Sequence, residues 1–449
     1  MRKLNALLDR ADDGLRSLML GTKIPSWLMG AGTFAAFALL MMTRSLTRLA
    51  GAGMMQRGCA VLVLCLPLGM MLFFALRMAR REAMDTLSSL GLCALCALAM
   101  LARVSFIERS SGDYDIYLAD WMNKLAAGSF SEGMRANIGE YNVLYQYILF
   151  LITRLPVPAL YAVKAVSFIG DAFLAGAAAK LAGKNRCVPA FAAALLLPTL
   201  VLNGGMFAQC DSLYAACALW GLALSLDEKP MAAAACFALS LSFKLQSAFI
   251  LPMVIVLWAG RKLRVREALV FALTLIVVML PALLGGKSLG AILSIYTAQT
   301  GLYTGLTYNA PSFFGLMNTA GLDVYAYGNF GMALALGACA AVVVWGVKKA
   351  EQMSDGEHIC LALLLVLLVV FLLPRMHERY FYLATPLSIA LACRCGGKMI
   401  PAAAMIELAT LICYWEMAPL PLASVLMLGA IVLVMMGEKS VCGEEENML

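Results

Sequence analysis

Apolar residues fall along this chain in long runs, broken by short polar or basic segments. Three runs come first, near 25–43, 58–76 and 86–104. Six more follow near 267–285, 329–347, 358–374, 380–393, 399–415 and 419–436. A helix that crosses a bilayer needs about 20 apolar residues, so these runs predict membrane-spanning helices. Between the two groups, a polar and acidic stretch at 105–140 precedes six shorter, crowded runs in 141–260.

The basic residues give the runs a direction. "RMARR" (77–81), "RKLRVR" (261–266), Lys348 with Lys349, and Arg394 with Lys398 alternate with the apolar runs as cytoplasmic clusters do. They place 105–140, 286–328 and 375–379 on the outer side and both termini inside. An even number of crossings is then required. Five crossings through 141–260 bring the total to about 14 and leave one run re-entrant or interfacial, expected beside Pro156 and Pro158 or near Lys244. Arg44, Arg48 and Arg57 fall on the outer side, against the rule.

Residues 1–24 read as an amphipathic segment on the cytoplasmic surface, 25–437 as the multi-pass domain, and 438–449 as a cytoplasmic tail. No cleavable leader is expected, because the first apolar run follows a charged segment without a small-residue cleavage site. The expected fold is all-α, a polytopic bundle whose outer loop carries interfacial helices.

Composition agrees with this reading. Hydrophobic residues make up 62% of the 449 and charged residues 14%, against roughly a quarter charged in soluble domains. The net charge of +7 sits in the sided clusters and does not point to nucleic acid. The fourteen cysteines lie mostly within apolar runs, and Cys93 and Cys96 there read as small packing residues. Two histidines in the whole chain exclude a His-rich zinc site.

Several polar groups interrupt this background. In "SSGDYDIYLADWMNKLAAG", Asp113, Asp115 and Asp120 alternate with Tyr114, Tyr117 and Trp121. A helix here puts Asp113, Tyr117 and Asp120 on one acidic, aromatic face, which suits a sugar, although a solvated surface helix has the same pattern. Spacing does not choose a general base among the three carboxylates. Gln209 and Asp211, Lys244 and Gln246, and Lys164 and Asp171 lie within apolar runs, where polar groups face a cavity or a partner. The outer stretch 294–321, with Tyr308 and Asn309, has the aromatic and amide content of a binding lip or of an interfacial belt.

"LLPRMHERYFYL" (372–383) crowds Arg375, His377, Glu378 and Arg379 between two apolar runs. Arginine makes bidentate contacts with phosphate oxygens, His377 adds a further bond, and Glu378 orients either one. A lipid phosphate lies at this depth; plain interface anchors are the other reading.

Taken in order, these segments resemble the GT-C glycosyltransferases, membrane enzymes that use sugars carried on polyprenyl phosphate. "GDYDIYLADW" resembles the "GDYEAQRHW" loop of dolichyl-phosphate-glucose glucosyltransferases, with Asp113 at the position of their catalytic aspartate and Asp115 at that of the acidic residue after it. "MHERY" is similar to their "HEK" segment and to "MHER" of bacterial relatives. "GGMFAQCDSLY" resembles "GHFQYNS", and "LTYNAPSFFGL" an outer loop of the bacterial branch. The resemblance covers roughly 86–395. It implies inverting hexose transfer from a polyprenyl-phosphate donor at the outer face. Asp113 and Asp115 are then catalytic, and Arg375, His377, Glu378 and Arg379 sit at the donor phosphate. Tyr114, Trp121, Gln209, Asp211, Lys244, Tyr308 and Asn309 line the substrates. The acceptor is a glycan, lipid or protein; no cofactor is required, and a divalent metal stays open. The chain lacks that family's "QRHW" and "FQYN", so the resemblance does not assign the acceptor. A transporter or lipid-linked-glycan flippase, and a ligase or polymerase using a diphosphate-linked glycan, are the competing classes.

Overall fold

The computed structural model describes residues 24–441 except 50, 137, 140, 299–303 and 318, together with Arg10. The amphipathic helix expected over 1–23 and the tail beyond 441 lie outside the described residues. The chain opens with α1 (Ser26–Arg48), α2 (Met54–Arg81) and α3 (Thr86–Val104). A π-helical turn at Tyr114–Leu118 then leads into α4 (Ala119–Ala127) and α5 (Phe130–Arg135). The crowded region forms α6 (Val143–Ile152), α7 (Ala159–Ala182), α8 (Cys187–Leu196), α9 (Pro198–Gly205), α10 (Asp211–Leu226), α11 (Pro230–Phe243) and α12 (Met253–Ala259). After it come α13 (Glu267–Leu284), α14 (Leu289–Ala298), α15 (Val324–Lys349), α16 (Asp355–Leu372), α17 (Ala384–Arg394), α18 (Ile400–Trp415) and α19 (Leu420–Val441).

The protein is therefore an all-α membrane bundle. Eight described helices are long and apolar enough to cross a bilayer: α1, α2, α3, α7, α13, α15, α16 and α19. The α8–α9 pair forms a further broken span, bent by 48°. Its cause is Pro198, which has no N–H to donate and drives Leu197 out of the helical region, to ψ 122°. The re-entrant or interfacial run expected from sequence falls elsewhere, beside Pro156 and Pro158 or near Lys244, so this bend is an additional feature. Both of those places are also irregular. Lys244 is extended between α11 and a 3₁₀ turn at Leu245–Phe249. Before Pro156, α6 has only 10 residues, about 15 Å of helix. Both ends of α6 are tied to the same surface segment: Gln146 donates to Gly133 O (2.8 Å), and Arg154 donates to Leu125 O (3.0 Å) and Ala126 O (2.9 Å).

Helix α7 occupies the centre, 83% buried, whereas α13 is 11% buried and presents its apolar side chains outward. The sequence of α7, "ALYAVKAVSFIGDAFLAGAAAKLA", explains its place, because alanines and glycines let neighbouring backbones approach. At Gly170 an added Cβ would lie 2.4 Å from the Ser212 hydroxyl of α10. The polar groups of α7 are internally satisfied. Asp171 accepts from the fully buried Arg103 of α3 (2.7 Å) and from Tyr382 (3.2 Å), and Arg103 also donates to Leu195 O (2.8 Å). Lys164 caps the chain after α3, donating to Phe106 O (2.6 Å) and to Arg109 O. Asp171 and Lys164, legible in sequence as charges inside a span, thus tie α7 to α3 and to the segment that follows α3.

The basic clusters gather at one end. Arg394 donates to Leu181 O (3.0 Å) and pairs with Asp355 (3.4 Å), which also faces Lys262 (4.0 Å). Arg48, at odds with the charge rule, lies at the other end and pairs with Glu108 (3.3 Å).

Candidate functional site

At the end opposite those clusters, four segments far apart in sequence converge on a cavity of about 360 Å³. Its floor and walls come from Asp113, Tyr114, Tyr117, Leu118 and Trp121 of the surface segment, Phe207–Gln209 before α10, Lys244 and Gln246 after α11, and Arg379 with Tyr380.

The π-helical turn sets which side chains face inward. Its bonds run i to i+5, so the wider turn shifts residues off the 3.6-residue register. Asp113, Tyr117 and Trp121 line the cavity. Asp120 instead pairs with Lys124 (2.6 Å) on the exposed side, and Asp115 accepts from Ser110 (2.8 Å) outside the cavity. The acidic face expected from ordinary helical spacing is thus reduced to one carboxylate. Gly112 has open space around it and an ordinary φ. Asp113 is placed by Ser111, whose hydroxyl donates to Phe207 O (2.8 Å) and accepts from Tyr114 N (3.3 Å). Gly139 is required by close approach: it has φ +67°, and a Cβ there would fall 2.1 Å from the Trp121 ring.

Asp113 Oδ2 receives two donors, Gln209 Nε2 at 2.9 Å and Arg379 Nη1 at 3.0 Å. Tyr141 OH donates to Gln209 Oε1 (3.3 Å), fixing the amide. Left-handed backbone at Ala208 (φ 53°) turns the chain so that Gln209 reaches inward. Behind this group Lys244 pairs with Asp211 Oδ1, while Asn203 Nδ2 donates to Asp211 Oδ2 (2.9 Å). Asp211 is buried behind Lys244, which lines the cavity in its place. The Lys244 ammonium also stands 5.8 Å from the Tyr141 ring centre.

The segment 372–383 is held by a short parallel ladder. Strands β1 (Thr307–Tyr308) and β2 (Met376–His377) pair Thr307 with Met376 and Tyr308 with His377. Arg375 N donates to Leu306 O (2.8 Å) from a left-handed conformation, φ 64°. The imidazole of His377 stacks on Tyr308, centroids 4.8 Å apart and 14° from parallel. A 3₁₀ turn at Glu378–Phe381 then swings Arg379 into the cavity, where its Nε also faces Glu378 (3.2 Å).

Of the four charged or titratable residues expected at a phosphate, Arg379 alone lines the cavity; Arg375, His377 and Glu378 support the turn that carries it. Tyr308 and Asn309 likewise act from behind, and Asn309 Nδ2 donates to Cys413 O (2.6 Å). Burial, with Arg379 nearby, lowers the pKa of His377 to about 4, so its imidazole is neutral at physiological pH. Burial raises that of Glu378, with Arg379 opposing the shift.

Tyr141, Phe207 and Tyr380 were not evident as site residues in sequence. Phe207 and Tyr380 stand in segments singled out for their polar neighbours, and only the fold brings these three rings to the cavity. Among the described residues, no three His, Cys, Asp or Glu side chains come together as a metal-binding group. Compared with known proteins, the chain matches no family profile and no curated sequence at a significant level.

Proposed function

We propose that the protein is a glycosyltransferase that moves a hexose from a polyprenyl-phosphate carrier to an acceptor hydroxyl at the outer face of the membrane. The observation that carries the reading is the junction of Asp113 and Arg379. A carboxylate and a guanidinium meet at 3.0 Å inside a cavity walled by tyrosine and tryptophan rings. These are the parts that sugar transfer from a phosphate requires: a base, a partner for the departing phosphate, and aromatic faces for the sugar.

In this reading the donor phosphate takes Arg379 from Asp113, and Lys244 adds a second positive charge at the wall. Asp113 is then free to accept the proton of the acceptor hydroxyl. That oxygen attacks the anomeric carbon, the bond from the anomeric carbon to the phosphate oxygen breaks, and its electron pair leaves on the lipid phosphate. One displacement inverts the anomeric centre. Gln209 holds the carboxylate in place throughout. Asp115, turned outward onto Ser110, has no direct role in the step.

The same reading places the basic clusters in the cytoplasm and the cavity outside. Taking α10, α11, the 245–259 segment that ends in α12, α17 and α18 as crossings beside the eight long helices and the broken α8–α9 span, with α6 and α14 at the outer surface, gives 14 spans and both termini inside. The test is product analysis in proteoliposomes supplied with polyprenyl-phospho-hexose. Release of polyprenyl monophosphate with hexose joined to an acceptor supports transfer. Intact lipid-linked sugar crossing the bilayer without discharge supports a flippase, and discharge only from a diphosphate-linked glycan supports a ligase or polymerase.

A further inference from the structure

A second cleft, about 300 Å³ in volume, lies at the opposite end of the bundle between α2, α7 and α10. Helix α10 links the two places, running from Asp211 behind the first cavity to Asp227, its C-cap, in the second. Sixteen residues of helix separate them by about 24 Å. The second cleft therefore has no part in the chemistry proposed above.

Its lining is divided by polarity. Arg77, Arg81, Lys180 and Lys229 supply four cations against one carboxylate, Asp227. Asp227 is already shared by Lys180 (2.5 Å) and Lys229 (2.6 Å). Arg77 is exposed and has no ion-pair partner among the described residues. Among the described residues, Arg81 pairs only with Glu82, at 3.8 Å, and Glu82 also accepts from Asn185 N (3.1 Å). Two guanidiniums one helical turn apart thus face the cleft in excess of local negative charge. The other wall is apolar: Phe74 and Trp220 lie with ring centres 6.2 Å apart and nearly stacked. Gly176 makes room for them, since a Cβ there would come 2.8 Å from the Phe74 ring.

Cations in a last helical turn also suit the helix dipole without any ligand. That account explains the charges but neither the cleft between three helices nor its aromatic wall. A basic pocket between membrane helices at the bilayer boundary takes an anionic lipid headgroup, with the acyl chains along the apolar side. We propose that this cleft binds an anionic glycerophospholipid, its phosphate on Arg77 and Arg81 and the first carbons of its chains along Phe74 and Trp220.

The test uses the full chain in a non-ionic detergent, with phosphatidylglycerol and phosphatidylcholine added separately and retention measured by native mass spectrometry. The wild type is expected to retain phosphatidylglycerol and not phosphatidylcholine. Arg77→Gln/Arg81→Gln should weaken retention by about tenfold or more, while Arg77→Lys/Arg81→Lys should keep most of it. Arg261→Gln, at the same end but paired with Glu351 (2.8 Å) away from the cleft, should leave retention unchanged. Phosphatidylglycerol brominated on its chains should quench Trp220, and Trp220→Phe should remove that part of the quenching. Equal retention by the double Gln variant, or an equal loss in Arg261→Gln, would overturn the proposal. Competition by millimolar glycerol phosphate as effective as by the lipid would assign the cleft to a soluble phosphate and overturn it as well.

Discussion

Replacing Asp113 by Asn separates the chemistry of the outer cavity from its architecture. Asp113 Oδ2 carries both protein contacts, from Gln209 and Arg379, and an amide oxygen can occupy that position while the amide nitrogen takes the place of Oδ1. The shape is kept and the basicity is lost. The Asp113 side chain is 49% exposed and that of Arg379 17%, so solvent screening limits their ion pair to at most about 1 kcal/mol of stability. For a chain of this size that is a melting shift of no more than about 3 °C. Removing a general base costs a factor of about 10² to 10⁴ in rate, or roughly 3–5 kcal/mol of barrier. The expected result is an intact, donor-binding protein with transfer nearly abolished, measured as radiolabelled hexose moved in proteoliposomes beside a thermal melt in detergent. Asp115→Asn, which disturbs only the contact with Ser110, should transfer at close to the wild-type rate. Transfer within threefold of wild type in Asp113→Asn would refute the assignment of the base, and so would an inactive Asp115→Asn beside it.

Arg379→Lys should lose about ten- to a hundredfold in donor use, because one ammonium cannot hold Glu378 and the donor phosphate together as the planar fork can; near-normal donor kinetics would reduce Arg379 to an anchor. Asp171→Asn leaves Arg103 buried without its counter-charge, so stability should fall by about 3–5 kcal/mol, and an unchanged melt would contradict the structural role given to this pair. His377 has its pKa lowered to about 4 by burial and Arg379, against about 6.5 in an unfolded chain. The unfolded state then binds more protons between these values, so the His377 contribution is full above about pH 6.5 and is lost as pH falls towards 4. His377→Gln should flatten stability across that window, and an unchanged pH profile would count against the buried neutral imidazole.

Much of the bundle is legible from apolar runs alone, because lipid demands long stretches without charge. The runs at 86–104 and 267–285 become α3 and α13 almost residue for residue. The run at 380–393 is different: its helix, α17, has only 11 residues behind a 3₁₀ turn, since the chain first has to deliver Arg379 to the cavity. The residue types of the site are also visible in sequence, as carboxylates beside aromatics and arginine beside histidine. Their partners are not. Nothing local links Asp113 to Gln209 or Arg379, and the π-helical turn that removes Asp120 from the shared face has no marker in the spacing of side chains. Arg103 reads as a helix-end cation and Asp171 as a polar group in a span, yet only tertiary packing makes them a pair. Lys164 answers to backbone carbonyls, which carry no sequence signature at all.

The central claim is that a sugar phosphate is bound and broken where Asp113 meets Arg379. A structure determined with an unreactive polyprenyl-phospho-hexose analogue tests it most directly. The account predicts phosphate oxygens within hydrogen-bond distance of Arg379 Nη1, the hexose against the Tyr117 and Trp121 rings, and Asp113 released from Arg379 to face the anomeric carbon. An analogue seated elsewhere, with the Asp113–Arg379 contact unbroken, would contradict it.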